Sequence, residues 1–286
     1  MKNYLLIKNK IFQIKNIRNI LGLFLVLSLG ILICFPFIWM IRTSFMTEIQ
    51  TAKFPPLWFP TQFNFKNYQG ALAIQPFDRF IFNSLFIAIV AVFTQVLTAS
   101  LGAYAFARLR FPGRDMLFLF YLATMLIPQQ VTIVPTYVIV SYFGWTDSYL
   151  GLIFPGMFSV LVTFLLRQFF LSIPPELEDS AKIDGAGYFR IFFTIILPLS
   201  KPALATAAIF IFISSWGNFL WPLLIIRTRE LRTVPLGLAA AQLERGHTNI
   251  PQLMAAASLS IIPIVIIFLL LQRYYIQGIA MTGLKR

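Results

Sequence analysis

Long apolar runs limit the folds open to this chain more than any other feature. Hydrophobic residues make up 58% of the sequence and charged residues only 12%, whereas soluble domains carry about 25% charged residues. A helix needs about 20 apolar residues to cross the hydrocarbon core of a bilayer. Alternating helix and strand signals are absent, and a helix satisfies its own backbone hydrogen bonds in lipid. The sequence therefore predicts an all-α integral membrane protein.

The apolar regions predict about six transmembrane helices. Residues 116–170 are long enough for two crossings, and the polar sequence at 144–148 provides the turn between them. The predicted spans are residues 20–41, 80–105, two within 116–170, 192–226 and 253–271. Residues 1–19 are then a cytoplasmic N-terminal arm, and residues 20–286 form a single transmembrane domain.

The positions of Lys and Arg predict the orientation, because cytoplasmic loops of membrane proteins are enriched in both. With both termini in the cytoplasm, most positive charge falls inside. It lies on the N-terminal arm, on the loop at residues 108–114, on the loop that begins at Pro174 and on the C-terminal tail. The net charge of +13 then reflects membrane orientation. No aromatic–basic motif accompanies it, so we expect no nucleic-acid partner.

The first apolar run is predicted to be an uncleaved span and not a signal peptide. It is longer than a typical signal-peptide core, and no cleavage site with small residues follows it. The single cysteine, Cys34, lies within this run and cannot form an internal disulfide. We expect a buried structural thiol there, since Cys is among the most buried residue types.

A charged segment separates the fourth and fifth predicted spans. Pro174 and Pro175 end one helix and favour the start of the next. Acidic residues, which the dipole of a helix favours in its first turn, follow at Glu176, Glu178 and Asp179. Gly185 can take the left-handed conformation that ends a helix. The segment predicts a short capped helix and then a second helix from Tyr188, which Pro198 kinks.

This segment resembles the cytoplasmic EAA loop of ABC-importer permeases, particularly the carbohydrate type of the maltose and glycerol-phosphate permease family. In that motif Glu-Ala-Ala, two further residues and Asp-Gly-Ala precede a Phe and an Ile-x-Leu-Pro-x-x-x-Pro tail. The matching residues, with Asp for Glu and Ser for Ala at the first two positions, are Asp179, Ser180, Ala181, Asp184, Gly185, Ala186, Phe192, Ile195, Leu197, Pro198 and Pro202. Residues 165–170, 216–222, 231–238 and 271–278 also resemble the carbohydrate subgroup.

The resemblance implies a type I ABC importer permease fold in a bacterial or archaeal inner membrane, with a cytoplasmic coupling helix inside residues 172–202. The implied partners are a second homologous permease, two ATP-binding subunits, an extracytoplasmic solute-binding protein and membrane lipid. The residues implied to dock on the ATPase are Glu178, Asp179, Ser180, Ala181, Asp184, Gly185, Ala186 and Phe189, with Gln277 and Gly278 in a tail that contacts it. Without the resemblance the loop could be a plain structural turn, and the tail a basic membrane anchor.

The chain is not expected to be an enzyme. A phosphate-binding loop needs a Gly followed by Lys, and none of the 15 Gly residues is followed by Lys. ATP and Mg are therefore expected on the partner subunits, with no cofactor, metal or catalytic residue in this chain. An ion-coupled secondary carrier is the alternative from another class, but the central parts of the spans lack the ionisable residues it would use. The single histidine, His247, is expected in a solvated loop.

The expected cargo is a di- or oligosaccharide or a related polyol, delivered by the binding protein and moved between two permeases. Glycerol phosphate or another polyol derivative is the alternative cargo. Amide, hydroxyl and aromatic groups near mid-membrane suggest a substrate path at Asn83, Gln129, Gln130, Tyr137, Trp216 and Asn218. These groups could instead bind neighbouring helices. Residues 43–79 and 227–245 are the segments expected to meet the binding protein.

Overall fold

The computed structural model describes residues 2–74, 76–243 and 249–283, with side chains described for 21–73, 76–242, 249–270 and 272. All regular structure in these ranges is helical. The α-helices are α1 (Lys2–Ser44), α2 (Glu48–Thr51), α3 (Lys66–Ile74), α4 (Phe77–Arg108), α5 (Arg114–Ala123), α6 (Gln129–Tyr142), α7 (Tyr149–Ile153), α8 (Val160–Ser172), α9 (Glu176–Ile183), α10 (Tyr188–Ile191), α11 (Leu197–Leu199), α12 (Lys201–Trp216), α13 (Leu220–Ile225), α14 (Val234–Leu243) and α15 (Ile250–Gly283). Single turns of 3₁₀-helix occur at Thr124–Leu126, Phe154–Gly156 and Arg229–Leu231, and a π-helical turn at Phe192–Ile196.

These helices contain three candidate membrane spans, or six if each bent pair counts as one span, and six is the number that the sequence predicts. Three are single helices: Leu21–Ser44, Phe77–Arg108 and Ile250–Leu270. The other three are pairs of helices with a break between them: Arg114–Leu126 with Gln129–Tyr142, Tyr149–Gly156 with Val160–Ser172, and Tyr188–Leu199 with Lys201–Trp216. The bends at the breaks are 97°, 44° and 79°. Half of the spans are therefore irregular.

Proline accounts for the sharpest break, in the third span. Pro128 lies directly before α6 in an extended conformation and has no N–H with which to continue the preceding helix. Pro135 lies inside α6 without ending it. The sequence predicts irregularity at both prolines, and the chain breaks only at the first. Irregular backbone at membrane depth needs protein or a cavity beside it, and a cavity lies there, as described below.

The fifth span differs from its predicted extent of residues 192–226. Helix α12 ends at Trp216, Gly217 caps it, and the apolar residues beyond form the separate helix α13. The side-chain oxygen of Asn218, which lies two residues before α13, accepts the N–H of Trp221 in its first turn at 3.4 Å. The predicted span therefore ends at Trp216, and the apolar residues from Leu220 onwards form a separate helix.

The chain divides into two compact units, one of residues 1–71 and 248–259 and the other of residues 72–247 and 260–286. In the first unit, the 21–44 part of α1 exposes its apolar side chains along its length. Cys34 is exposed on this helix, so the expectation of a buried thiol was wrong. The reason is that α1 packs little against the rest of its unit before Trp39.

Helix α4 is the centre of the second unit and packs chiefly against α8 and α12. Three buried alanines on one face of α4, Ala99, Ala103 and Ala107, are spaced four residues apart. Small residues at this spacing let helix backbones approach closely in membranes. Leu166 and Phe170 of α8 are fully buried against this face. The close packing brings the C-terminal ends of α4 and α8 together, and α9 begins at that point.

Candidate functional site

The first part of the site is the loop that contains α9 and α10. Gly185 has a φ of +77° and ends α9 in a Schellman motif. Its N–H donates to Lys182 O at 3.0 Å, and the N–H of Ala186 donates to Ala181 O at 2.9 Å. This confirms the predicted helix end at Gly185. The chain then turns into α10 at Tyr188.

Arg108, the last residue of α4, fastens α9 to the helix bundle. Its Nε atom lies 2.8 Å from Oε1 of Glu178, and the two side chains are only 11% and 5% exposed. Its Nη2 atom donates to the carbonyl oxygens of Phe170, at 2.6 Å, and of Ile173. These carbonyls lie at the C-terminal end of α8, where a cation is favoured by the helix dipole. One guanidinium therefore joins α4, α8 and α9.

Glu178 consequently faces inward and forms no part of the exposed surface of the loop. Burial raises the pKa of its carboxyl above the ordinary value, because lost hydration outweighs the attraction of Arg108 and Lys182. The carboxylate is paired within the chain, whereas the resemblance implied the same docking role for Glu178 and the adjacent Asp179. Direct docking by Glu178 stays a prediction.

The other residues expected to dock remain at or near the surface. Ala181 and Ala186 are half-buried and pack against the core of the unit. Asp179 forms an exposed ion pair with Lys182 at 3.0 Å. Ser180, Asp184, Gly185 and Phe189 are exposed, and so are the apolar side chains of Leu177, Ile183 and Tyr188. Ile183 and Phe189 expose 87% and 75% of their surface, which makes an apolar protrusion on a firmly held base.

The second part of the site is a polar cavity between α4, the breaks of the third and fourth spans, and the end of α12. Its volume is about 380 Å³, and a neighbouring compartment of about 210 Å³ shares part of its wall. Amide and hydroxyl groups line the two compartments, at Gln95, Gln129, Thr132, Thr136, Ser159, Ser214, Ser215, Asn218 and Thr233. The indole of Trp221 contributes an aromatic wall to both.

The turn after α6 holds the wall that contains Trp221 in place. Asp147 takes a φ of +55°, and its carboxylate accepts the N–H groups of Arg227 and Thr228 at 2.9 and 3.0 Å. Burial opposes the charge of Asp147, but these N–H groups and the Thr228 hydroxyl prevail and hold its pKa below the ordinary value. The indole N–H of Trp221 donates to Gly151 O at 2.9 Å. Helix α13 is thus fixed at both ends.

Only two of the six residues predicted for a substrate path line this cavity, Gln129 and Asn218. Gln130 is exposed outside it. Tyr137 packs against the apolar cluster that contains Trp221 without lining the cavity itself, and its hydroxyl lies 3.5 Å from Arg227 Nη2. Trp216 is buried, stacks on Phe212 and donates to a backbone carbonyl at 3.2 Å. These three residues therefore do not belong to the cavity.

Asn83 does not line this cavity and binds neighbouring segments of the chain. Its side-chain N–H groups donate to Glu230 O at 2.7 Å and to Arg232 O at 3.0 Å. Its side-chain oxygen accepts the hydroxyl of Tyr149 at 2.6 Å. Buried amides in membranes commonly bind neighbouring segments in this way. Asn83 thus joins α4 to α7 and to the segment before α14, and both of its N–H groups are used in doing so.

Sequence reasoning missed several cavity residues, including Gln95, Ser159, Ser214 and Ser215. The available signal was the presence of an amide and of two consecutive hydroxyls inside strongly apolar spans. The expected tail contacts, Gln277 and Gly278, lie in α15 where side chains are outside the described set, and His247 lies outside the described residues altogether.

The sequence decides the family. The model of the family described as "Binding-protein-dependent transport system inner membrane component" matches residues 96–281. This chain belongs to that family. It is accordingly a multi-pass inner-membrane permease of a binding-protein-dependent ABC importer and not an enzyme.

The permease is similar over most of its length to characterised relatives. It is 34% identical over 276 residues to the sn-glycerol-3-phosphate transport system permease protein UgpE of Brucella abortus (strain 2308), covering 93% of this chain and 97% of the relative. It is 38% identical over 210 residues to the arabinooligosaccharides transport system permease protein AraQ of Bacillus subtilis (strain 168), covering 72% and 73%.

The fold of the permease matches a solved transporter. A chain of a bacterial ABC transporter involved in the import of the acidic polysaccharide alginate superimposes with a TM-score of 0.80 and 24% identity, covering 91% of this chain and 97% of that chain. The comparison confirms the predicted importer permease fold.

Proposed function

We propose that this permease imports a neutral carbohydrate or polyol and forms the translocation path with a second, homologous permease. The proposal is carried by the polar cavity beside the broken third and fourth spans. Its lining side chains are all among the described residues, and they are amide, hydroxyl, aromatic and aliphatic groups without a charge. Amides and hydroxyls match the paired donors and acceptors of sugar hydroxyls, and few polar groups in an otherwise apolar site are typical of ligand recognition.

Glycerol phosphate is the second candidate cargo. It is favoured by the similarity to UgpE, which extends over 93% of this chain. A phosphate group calls for Arg, Lys or a helix N-terminus. The lining of the cavity has no Arg or Lys, although Gln129 and Ser159 lie at the N-terminal ends of α6 and α8. The name of AraQ indicates a neutral oligosaccharide cargo for that relative. We prefer the neutral cargo because no cationic side chain lines the cavity to balance the charge of a phosphate.

Energy input is proposed at the loop of α9 and α10, on the cytoplasmic side with both termini. Two ATP-binding subunits would bind ATP and Mg and receive the apolar protrusion around Ile183 and Phe189. The polar edge of this surface would be formed by Asp179, Ser180 and Asp184, and its base by Ala181, Gly185 and Ala186. Because Arg108 joins α9 to the ends of two spans, a movement of α9 would be transmitted directly to both spans. The tail at Gln277 and Gly278 is proposed as a further contact.

The test is uptake by the complete transporter in proteoliposomes with its binding protein. An arabinooligosaccharide and sn-glycerol 3-phosphate are supplied in parallel, each with internal ATP or with an ion gradient alone. ATP-dependent uptake of the neutral sugar supports the proposal. Uptake of the phosphate alone selects the second candidate cargo, and uptake driven by the ion gradient alone refutes the ATP-driven mechanism.

A further inference from the structure

The segment that follows α1 is held against the end of that helix by polar contacts. The side-chain N–H groups of Asn67 donate to Ser44 O at 2.8 Å and to Met46 O at 2.7 Å. The backbone N–H of Asn64 donates to Phe45 O at 2.8 Å. Asn67 and Ser44 are buried. The residues between these contacts therefore form a built structure and not a loose loop.

This segment also folds back along α1. The rings of Trp58 and Trp39 meet edge to face with centroids 6.0 Å apart. The guanidinium of Arg42 lies 4.0 Å from the ring centroid of Trp39, and its Nε donates to Trp58 O at 3.2 Å. Trp39 precedes the end of α1 by about 7 Å, at about 1.5 Å of helix per residue. Trp58 thus lies at the depth of the last turns of a membrane-spanning helix.

Residues 54–59, which we call the aromatic segment, expose their large rings despite this anchoring. Phe54, Trp58 and Phe59 are 91%, 68% and 82% exposed. Leaving such a ring in water forgoes about 1.5–3 kcal/mol relative to full burial. Three exposed rings on a segment that Trp58 ties to the last turns of a span favour an apolar partner near that end of the span.

We propose that the aromatic segment inserts into the boundary between headgroups and acyl chains at that end of α1, which is the outer leaflet in the proposed orientation. Aromatic residues concentrate at this boundary in membrane proteins. The surface is continuous with the exposed apolar surface of α1. A binding protein would approach from the water beyond the end of the helix, whereas Trp58 lies beside Trp39, within the span. The segment anchors the permease in lipid whatever the cargo is.

The experiment places a nitroxide label on single cysteines of the complete transporter in proteoliposomes. Cys34 is first replaced by Ala, and then Phe54→Cys and Phe59→Cys are made separately, with Lys66→Cys as an exposed control in the first turn of α3. Collision rates with oxygen, which partitions into lipid, and with a water-soluble nickel complex are measured with and without the substrate-loaded binding protein. Copurification of the subunits checks assembly of each variant.

The expected result is a ratio of oxygen to nickel collisions several-fold higher at positions 54 and 59 than at 66, unchanged by the binding protein. A ratio like that of position 66 at both sites overturns the proposal. A drop in nickel collisions at 54 or 59 on adding the binding protein also overturns it, and assigns the segment to that partner. Two positions are labelled separately so that, if one variant fails to assemble, the collision rates of the other still test the proposal.

Discussion

The guanidinium of Arg108 and the carboxylate of Glu178 form a buried ion pair, with Nε 2.8 Å from Oε1. The pair lies where α4 and α8 end and α9 begins. A buried ion pair adds little net stability compared with an apolar pair of the same shape, because both charges lose hydration. It does fix one geometry, and here that geometry is the attachment of the proposed coupling helix to two spans.

Removing one charge of this pair is expected to be costly. Glu178→Leu removes the acceptor that faces Arg108 and leaves the guanidinium buried with only carbonyl partners, at a cost of about 3 kcal/mol. Uptake should fall more than ATP hydrolysis, because α9 loses its firm link to the spans. The matched control is Asp179→Asn, whose exposed ion pair with Lys182 is worth about 0–1 kcal/mol. Thermal unfolding and the ratio of uptake to hydrolysis measure both variants, and equal behaviour of the two would contradict the assignment.

The raised pKa of Glu178 predicts a dependence of stability on pH. A group whose folded pKa is raised contributes stability below its unfolded pKa, and this contribution is lost as pH rises through the folded pKa. The unfolding free energy of the wild type should therefore fall relative to that of Glu178→Gln as the pH rises from the ordinary pKa of glutamate through the raised pKa of Glu178. Denaturation in detergent across the acidic and neutral range measures it. A difference that grows with pH would show that Arg108 lowers the pKa instead.

Gly185 and Gly187 form a matched pair for testing the backbone of the loop. A Cβ added at either meets nothing within 4 Å, but only Gly185 has a positive φ, of +77°. Gly185→Ala should cost about 1–2 kcal/mol from left-handed strain alone, and Gly187→Ala clearly less. Loss of coupled ATP hydrolysis in the first variant and its retention in the second are expected. Equal loss in both would point to contact with a partner and not to strain.

Two amides that the sequence assigns to the same path, Asn83 and Gln129, are expected to behave differently. Asn83→Leu leaves the carbonyls of Glu230 and Arg232 and the hydroxyl of Tyr149 without their partner, a loss on the order of 3 kcal/mol in stability. Gln129→Leu removes a cavity group instead. Stability should persist, while uptake falls about fivefold for each lost hydrogen bond of about 1 kcal/mol. Melting curves and uptake at limiting substrate separate the two, and the reverse pattern would exchange their roles.

Much of the architecture was predictable because its causes are local. Six spans follow from apolar length, and the breaks at Pro128 and at the start of α9 follow from the missing proline N–H. The end of α9 follows from the need for a left-handed residue at Gly185. The family resemblance at residues 172–202 added the proposed partner contacts, which no helix signal contains.

The sequence by itself determined that this chain is a helical membrane protein and where its charged loop begins and ends, since hydropathy and capping act within a few residues. Only the tertiary structure decided that Glu178 turns inward to Arg108, that Asn83 binds backbone, and that Gln95, Ser214 and Ser215 share a cavity with Asn218. These outcomes depend on which face of each helix meets its neighbour. Residues from helices far apart in the chain set that packing, and no local pattern reports it.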